Sequence, residues 1–287
     1  MPEGDSVYKL ARRLDRTMLD RTVVRSELRV PRLATRDLAG RRIVEHATYG
    51  KHLLTRFSGS EHDETPATLH SHLRMDGEWS VTGAGKVLPR RMMSDVRLVL
   101  GLDSGSTAWG LRLHDLELVP TAEEDRIVGH LGPDPLRPDW DAAEAVRRLR
   151  GSGTPPGSTP LVSALLDQRL ICGLGNLWAN ELAFLMGVSP WTPIGEVDVD
   201  RLVARAATAL KHSATVPGAY QVTTGQSRKG EDHWVTGRAR RGCLRCGTEV
   251  QVAAELPNDA AHRRTWWCPH CQPGPGPEVR VASALPR

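Results

Sequence analysis

Four cysteines near the C-terminal end of the sequence have the spacing of a metal site. Cys243 and Cys246 form one Cys-x-x-Cys pair, and Cys268 and Cys271 form a second pair after 21 intervening residues. Two such pairs are the ligand set of a tetrahedral structural zinc, which leaves no coordination position open for a substrate. The spacing therefore predicts one structural zinc ion, with redox or coincidental pairing as the alternative.

The second residue of the sequence is a proline, and Glu3 follows it. Removal of Met1 would expose the secondary α-amine of Pro2, and an α-amine with a pKa of about 8 is partly uncharged at neutral pH. Attack of this amine on a sugar aldehyde carbon gives a charged iminium, an electron sink that eases loss of the neighbouring proton. Most chains that begin Met-Pro-Glu have no catalytic terminus, so the dipeptide alone predicts none.

Two further features favour a polyanionic partner. The segment from Gly173 to Asn176 predicts a tight turn between two helices, with positive φ at its glycines and Asn176 as the cap of the second helix. Such a helix start presents N–H groups to anions such as a DNA phosphate, although an ordinary helical hairpin is the alternative. Between Arg228 and Arg245 six basic residues accompany two acidic ones, which indicates a phosphate-binding surface or a solvated face.

Composition limits the cellular setting. The 287 residues have a formal net charge of +4 and no apolar segment near the roughly 20 residues that span a bilayer. The N-terminus lacks the apolar core of a signal peptide. Five cysteines, four of them paired by spacing, suit a reducing compartment, and Cys172 in its apolar context is predicted to be a buried hydrophobic residue. These features predict a cytoplasmic protein without membrane contact.

The periodicity of apolar residues predicts an α+β chain. A first helix begins directly after the first four residues, and alternating runs over 22–120, such as 68–81 and 96–102, predict an antiparallel two-sheet sandwich. Helical patterns follow at about 140–150, 160–171, 177–186 and 198–212. The length allows two domains, and we place their boundary near residue 130, at the start of a Pro/Gly-rich linker.

The motifs occur in the order seen in the formamidopyrimidine-DNA glycosylase and endonuclease VIII family, which the chain resembles over nearly its whole length. They are Met1-Pro-Glu-Gly-Asp5, Tyr49-Gly-Lys51, Ser71-His-Leu-Arg-Met-Asp-Gly77, Gly173-Leu-Gly-Asn176, the four cysteines and Arg263-Arg-Thr-Trp-Trp-Cys268. The first and third motifs look more like the endonuclease VIII branch, especially its actinobacterial members. The other branch begins MPELPE.

The resemblance implies a domain organisation. It comprises a catalytic β-sandwich at 1–130, a helix-two-turn-helix domain at 139–237 and a four-cysteine zinc finger at 238–272. The Pro/Gly-rich composition of residues 273–287, which cannot form a core, predicts a disordered tail. Damaged DNA, single-stranded or duplex, would lie in the cleft between the domains of a monomer.

The resemblance also implies a bifunctional DNA glycosylase and AP lyase of base excision repair. Pro2 matches the family's Schiff-base nucleophile, and Glu3 matches the general acid at the sugar ring oxygen. Lys51 matches the lysine that acts in the lyase steps and that contacts a phosphate. After base release the family carries out β-elimination, and δ-elimination is expected here as well.

Further positions match DNA contacts of the family. Asn176 matches the turn residue that binds a phosphate near the lesion. Arg263 matches the zinc-finger arginine that also binds this phosphate and that takes part in the second elimination. Arg263 is preferred to Arg264 because the family's arginine lies five positions before the third cysteine. Arg238 and Arg264 are additional DNA-binding candidates in the basic C-terminal region.

An enzyme that extrudes a nucleotide needs a side chain to fill the vacated stack. Met75 is the candidate, with a core methionine as the alternative, and Arg74 beside it could contact the unpaired base. The loop lacks the Gln-Leu-Tyr trio of other endonuclease VIII sequences, and Ser6 replaces a glutamate that the family often has. With so few fillers, weakly stacked oxidised pyrimidines are the expected substrates rather than 8-oxoguanine opposite cytosine.

Two other functions are alternatives to this enzyme. A catalytically silent DNA-binding protein on the same fold would be favoured by retention of Met1 or by loss of turnover through Ser6. A zinc-ribbon transcription module would have no use for Pro2, Glu3 and Lys51 together.

Overall fold

The computed structural model describes residues 2–253 and 263–277. The chain divides into two compact units, Met1–His130 and Leu131–Arg287.

The first unit begins with an amphipathic helix, α1, at Gly4–Met18. Its apolar residues recur at helical spacing and are buried, among them Val7, Leu10 and Leu14. Eight strands follow, and a short helix, α2, closes the unit at Asp125–Val128. The strands are β1 (Val23–Leu28), β2 (Ile43–Tyr49), β3 (His52–Phe57), β4 (Ala67–His72), β5 (Glu78–Thr82), β6 (Val96–Leu102), β7 (Thr107–Leu111) and β8 (Asp115–Pro120).

These strands form two four-stranded antiparallel sheets. One has the order β1-β6-β7-β5 and the other has the order β2-β3-β4-β8. Leu53 and Leu69 of the second sheet share one buried cluster with Leu98 and Leu100 of the first, and α1 adds its apolar face to that cluster. The predicted antiparallel sandwich is therefore confirmed. The run predicted over 68–81 is two strands, because residues 73–77 form a turn between β4 and β5.

The opposite face of the second sheet is polar. Successive side chains of β3, β4 and β8 point to opposite faces of the sheet. Leu53 and Leu69 therefore point into the core, and the residues before and after them in the strand point outward. In the register of the sheet His52 lies opposite His72, His72 opposite Asp115 and His70 opposite Glu117. This strand pairing places histidines and carboxylates side by side on the outer face.

The second unit is helical. Its helices are α3 (Ala142–Arg150), α4 (Leu161–Leu166), α5 (Asn176–Met186) and α6 (Val199–Thr215). They share an apolar core that includes Leu149, Leu165, Leu182 and Leu202. Most of α5 is buried, including its polar residues Asn176, Asn180 and Glu181.

The predicted helix over 160–171 is shorter in the structure. The Asp167 carboxylate accepts a hydrogen bond from the Arg169 N–H at 2.9 Å, and this local turn ends α4 at Leu166. The Gln168 side chain then bridges the loop. Its Nε2 donates to the Leu174 carbonyl, and its Oε1 accepts from the Gly173 N–H. Residues 167–175 are consequently the non-helical approach to α5.

A small hairpin follows the helices. Its strands are β9 (Gln251–Ala253) and β10 (Thr265–Trp267), which pair antiparallel. The predicted tail begins at residue 273, but its first residues are ordered: Ser189 donates from its N–H to the Pro273 carbonyl at 3.3 Å and from its hydroxyl to the Pro275 carbonyl at 2.5 Å. Residues 278–287, the rest of that tail, lie outside the described residues.

The predicted α+β class is thus confirmed for the fold. Among the described residues, no helix has both the length and the apolar character that crossing a bilayer requires.

Candidate active site and metal centre

The N-terminal residues lead directly into the first helix. Pro2 precedes Glu3, which is the N-cap residue of α1 and is fully buried. The Ser6 hydroxyl accepts a hydrogen bond from the Glu3 N–H at 3.2 Å, so Ser6 stabilises the helix start. Pro2 therefore has a fixed position next to a buried carboxyl group.

Lys51 lies in the tight turn that joins β2 to β3. The last residue pair of this hairpin is Tyr49 and His52, and Gly50 has a φ of +56°. A two-residue connection with positive φ suits glycine and fits the twist of the flanking strands. The half-buried Lys51 is consequently held on a short, well-defined turn rather than on a long loop.

Arg74 belongs to the turn between β4 and β5 and is tied to its surroundings at two points. Its backbone N–H donates to Nδ1 of His72 at 3.1 Å, and its guanidinium forms an ion pair with Asp115. Its φ of +51° is unusual for a residue other than glycine. The two contacts hold Arg74 in this conformation, although most of its side chain is exposed.

Met75 projects from the same turn. Its side chain is 67% exposed, so the alternative of a core methionine is wrong. The Gly77 N–H closes the turn on the Leu73 carbonyl at 2.8 Å, and a Cβ at Gly77 would lie 2.5 Å from that oxygen. The turn thus requires glycine at its end and presents Met75 to the outside.

A cluster of histidines lines a cavity of about 400 Å³ on the outer face of the second sheet. Nδ1 of His52 lies 2.9 Å from Nε2 of His70, and His130 stands edge-on to His52. Burial, with the neighbouring imidazoles, lowers the pKa of His52 to about 3. Burial also lowers the pKa of His70 and of His72 to about 4. His52, His70 and His72 are therefore uncharged at neutral pH, and Nδ1 of His72 can accept the Arg74 N–H.

The turn before α5 differs from the prediction in two respects, because Gly175 has a φ of −124° rather than a positive one and Asn176 is not the helix cap. Gly173 has a φ of +89°, as expected, but the N-cap residue is Gly175 in an extended conformation. Asn176 is the first helical residue, and its side chain does not cap the helix. Instead its Nδ2 donates to the Arg264 carbonyl at 2.9 Å. The predicted cap is therefore wrong, because the strand approaching β10 supplies an acceptor for this amide.

Two buried polar residues of α5 were not identified from the sequence. Asn180 donates from Nδ2 to the Asn176 carbonyl at 2.7 Å and accepts the Trp266 N–H at 2.8 Å. With the Asn176 contact it connects α5 to the edge of β10. The only signal for Asn180 in the sequence is its spacing of four residues from Asn176, which places both side chains on one face of the helix.

Glu181 is the second such residue, and it is fully buried. Its carboxylate accepts the backbone N–H groups of Trp234, Val235 and Thr236 at 2.8–3.0 Å, and the Thr223 hydroxyl as well. Carboxylates that accept several backbone N–H groups form strong, charge-assisted bonds. Glu181 thereby fixes the segment that carries the basic residues onto α5.

The basic residues of this segment differ in their exposure to solvent. Arg228 and Lys229 are exposed. Arg238 is only 7% exposed, and its guanidinium donates to the carbonyls of Gly230 and, at 2.9 Å, Gly242. Arg238 thus holds this segment together, and the DNA contact expected of it stays a prediction.

Arg263 and Arg264 lie directly before β10. Arg263 is half-buried and Arg264 is exposed. The bond from Asn176 to the Arg264 carbonyl places both arginines beside the N-terminus of α5. The two residues predicted to grip phosphates, Asn176 and Arg263, are thus held near one another.

The four cysteines come together as their spacing predicts. The Sγ atoms of Cys243, Cys246, Cys268 and Cys271 all lie within 4.8 Å of one another, and no other metal-ligating group of this kind occurs among the described residues. Tetrahedral zinc with Zn–S bonds of about 2.3 Å requires Sγ atoms about 3.8 Å apart. The Cys246–Cys268 and Cys243–Cys271 distances are 3.5 and 4.0 Å, so the residues fit a single metal ion.

Cys172 is fully buried in the helical unit and takes no part in this cluster, as predicted.

Comparison with known proteins agrees with this geometry. Residues 1–116 match the model of the formamidopyrimidine-DNA glycosylase N-terminal domain, and residues 131–221 match that of its H2TH domain. The chain is 46% identical over 277 residues to a probable endonuclease 8 2 of Streptomyces coelicolor, covering 96% of each chain. It is 39% identical to the DNA-(apurinic or apyrimidinic site) lyase Nei2 of Mycolicibacterium smegmatis, covering 95% of this chain and 99% of that one.

Solved structures show the same fold. The chain is similar to the Lactococcus lactis Fpg (MutM) in complex with DNA containing N7-benzyl-Fapy-dG, with a TM-score of 0.75 and 22% identity. The similarity covers 95% of this chain and 100% of that one. On the two family models and on these relatives, the chain belongs to the formamidopyrimidine-DNA glycosylase and endonuclease VIII family.

Proposed function

We propose that the protein is a bifunctional DNA glycosylase and AP lyase of base excision repair that removes oxidised pyrimidines through a Schiff base on Pro2. The main support is the placement of Pro2 beside the buried Glu3 at the N-terminus of α1. The relatives named endonuclease 8 and AP lyase support the same activity. The protein would act on damaged DNA in the cytoplasm as a monomer.

The reaction would proceed in steps that these residues can perform. The Pro2 amine attacks C1′ of the damaged nucleoside while the Glu3 carboxyl group protonates the sugar ring oxygen. The base leaves with the proton that the amine loses. The C1′–O4′ bond breaks as the ring oxygen is protonated, and the open sugar remains as an iminium on Pro2. The iminium withdraws electrons, so a proton at C2′ is lost and the 3′-phosphate departs by β-elimination. We assign proton transfers in this phase to Lys51, and assistance of a following δ-elimination to Arg263.

One zinc ion is the metal we propose for the four cysteines. Its residues are Cys243, Cys246, Cys268 and Cys271, which occupy all four positions of a tetrahedral ion. A closed site of this kind supplies stability rather than chemistry. It would hold the hairpin that carries Arg263 and Arg264.

The oxidised-pyrimidine preference rests on the turn between β4 and β5. Met75 and Arg74 are the fillers that this turn provides for a vacated stack, and Asp115 lies beside Arg74. Ring-saturated pyrimidines stack poorly, so their extrusion costs less than that of 8-oxoguanine. Few fillers are therefore sufficient for such lesions.

Excision from a panel of oligonucleotides tests the substrate. Under single-turnover conditions, thymine glycol, dihydrouracil and 5-hydroxycytosine should be removed faster than 8-oxoguanine opposite cytosine. Removal from single strands or bubbles should be at least as fast as from duplex, because no stack has to be broken. Faster removal of 8-oxoguanine than of every oxidised pyrimidine would contradict the substrate assignment and leave the role of Pro2 untouched.

Salt dependence of DNA binding tests the phosphate contacts. Arg263→Ala should weaken binding to damaged and undamaged DNA alike and reduce the slope of log Kd against log salt by about one unit. Asn176→Ala should weaken both as well. Arg147→Ala is the matched control, since this exposed arginine of α3 pairs with Glu144. An unchanged slope for Arg263→Ala together with a reduced slope for Arg264→Ala would transfer the assignment to Arg264.

A further inference from the structure

A groove in the helical unit has no part in the proposed function. It lies between α5, α6 and residues 222–225 and has a volume of about 600 Å³. We call it the α6 groove. Its floor is apolar and is formed by Trp178, Leu185, Ala204, Ala209 and Val222. Apolar side chains of a ligand could be buried there.

The rim of the α6 groove carries the positive charges of two arginines, Arg201 and Arg205. Arg201, Arg205 and His212 line it from α6 at intervals of four and seven residues, which places them on one helical face. Nη1 of Arg205 donates to the Leu185 carbonyl at 2.7 Å, so its guanidinium has a fixed direction. No acidic residue lines the groove in the part of the chain that the structure describes.

Arg201 differs from the arginines on neighbouring helices and loops. Arg148, Arg150 and Arg169 each form an ion pair with a carboxylate. Arg201 is exposed and forms none with any residue between 2 and 253 or 263 and 277. A carboxylate brought by another molecule would therefore gain a partner without displacing one.

The dimensions of the groove favour an extended peptide. From Arg201 to His212 the helix rises about 16 Å, which matches five residues of extended chain at about 3.3 Å each. Duplex DNA would meet the cationic rim with its phosphates but would leave the apolar floor uncovered. A peptide that alternates acidic and apolar side chains satisfies both surfaces.

We infer that the α6 groove binds an acidic peptide segment of a partner protein. Apolar side chains of the segment occupy the floor beside Trp178, its carboxylates pair with Arg201, and the ring N–H of His212 can donate a hydrogen bond to it. The inference does not depend on the proposed glycosylase activity, because it rests on residues that the reaction does not use.

Fluorescence anisotropy with the full chain tests the inference. The probe is a fluorescein-labelled peptide, Asp-Leu-Asp-Phe-Asp-Glu, and its binding should be saturable. Arg201→Glu should weaken the binding at least tenfold because it reverses a charge on the rim. Ala204→Trp should weaken it similarly, because the exposed Ala204 leaves room on the floor that tryptophan would fill. Arg147→Glu, on an exposed ion-paired arginine of α3, should change the Kd less than twofold.

Matched measurements separate this inference from its competitors. A peptide with lysines in place of the acids, or with alanines in place of leucine and phenylalanine, should not bind. Arg201→Glu should leave lesion excision unchanged. Absence of peptide binding up to about 1 mM, or equal affinity for Arg201→Glu, would overturn the inference. So would loss of oligonucleotide affinity in Arg201→Glu with displacement of the peptide by DNA, since the groove would then be a DNA surface. A gain in peptide affinity on removal of residues 278–287 would identify the chain's own tail as the occupant of the groove. This result would also contradict the inference of a partner protein.

Discussion

Replacement of Pro2 by glycine is expected to reduce borohydride trapping of the protein on a lesion oligonucleotide about 100-fold. The iminium of a secondary amine is permanently charged, whereas the imine of a primary amine must be protonated before it withdraws electrons. Retention of Met1, which leaves no free amine at Pro2, should abolish trapping. The measurement is the yield of the covalent adduct after borohydride reduction, together with mapping of the modified peptide.

The control for this experiment separates the nucleophile from the acid. Glu3→Gln should slow release of an oxidised base by about 100-fold, because a general acid contributes that much to the step. The same variant should still be trapped on a preformed abasic site, where no base remains to be released. An adduct that maps to Lys51 or to another lysine would refute the assignment of Pro2.

Residues whose roles depend on local sequence were predicted well. The first helix starts where the apolar spacing places it, and Cys-x-x-Cys pairs bring ligands together because each pair needs only a short turn. The strand at 96–102 is found at the predicted positions, since β-branched and apolar residues alternate there between clear turn signals. These features require information from only a few neighbouring residues.

Residues whose roles depend on distant partners were not predicted. Glu181 gives no signal in the sequence, because the N–H groups that it accepts lie more than 50 positions away. The amide of Asn176 finds its acceptor 88 positions away, which explains why a helix cap was the expected role. Ser6 was seen only as a missing glutamate, yet it caps the helix that holds Glu3.

The cysteine cluster provides the second large expected effect. Cys246→Ser removes one of the four thiolates and should lower the zinc content from one ion per chain to nearly none. Zinc binding to such sites contributes on the order of 10 kcal/mol to folding, and a hairpin of two three-residue strands has few backbone hydrogen bonds of its own. Elemental analysis of freshly purified protein measures the metal directly. Cys172→Ala, which removes a buried thiol outside the cluster, should keep one zinc ion per chain.

Loss of the metal should also weaken DNA binding. Cys268 packs with Phe184 and Val250 in the small core beneath the hairpin, and Arg263 and Arg264 lead into β10. If the hairpin is released, Asn180 and Asn176 lose the backbone groups that they hold, and Arg263 no longer has a fixed position beside α5. The Kd of Cys246→Ser for lesion DNA should therefore rise at least as much as that of Arg263→Ala. Fresh protein that contains no zinc and retains full affinity and activity would contradict the metal assignment.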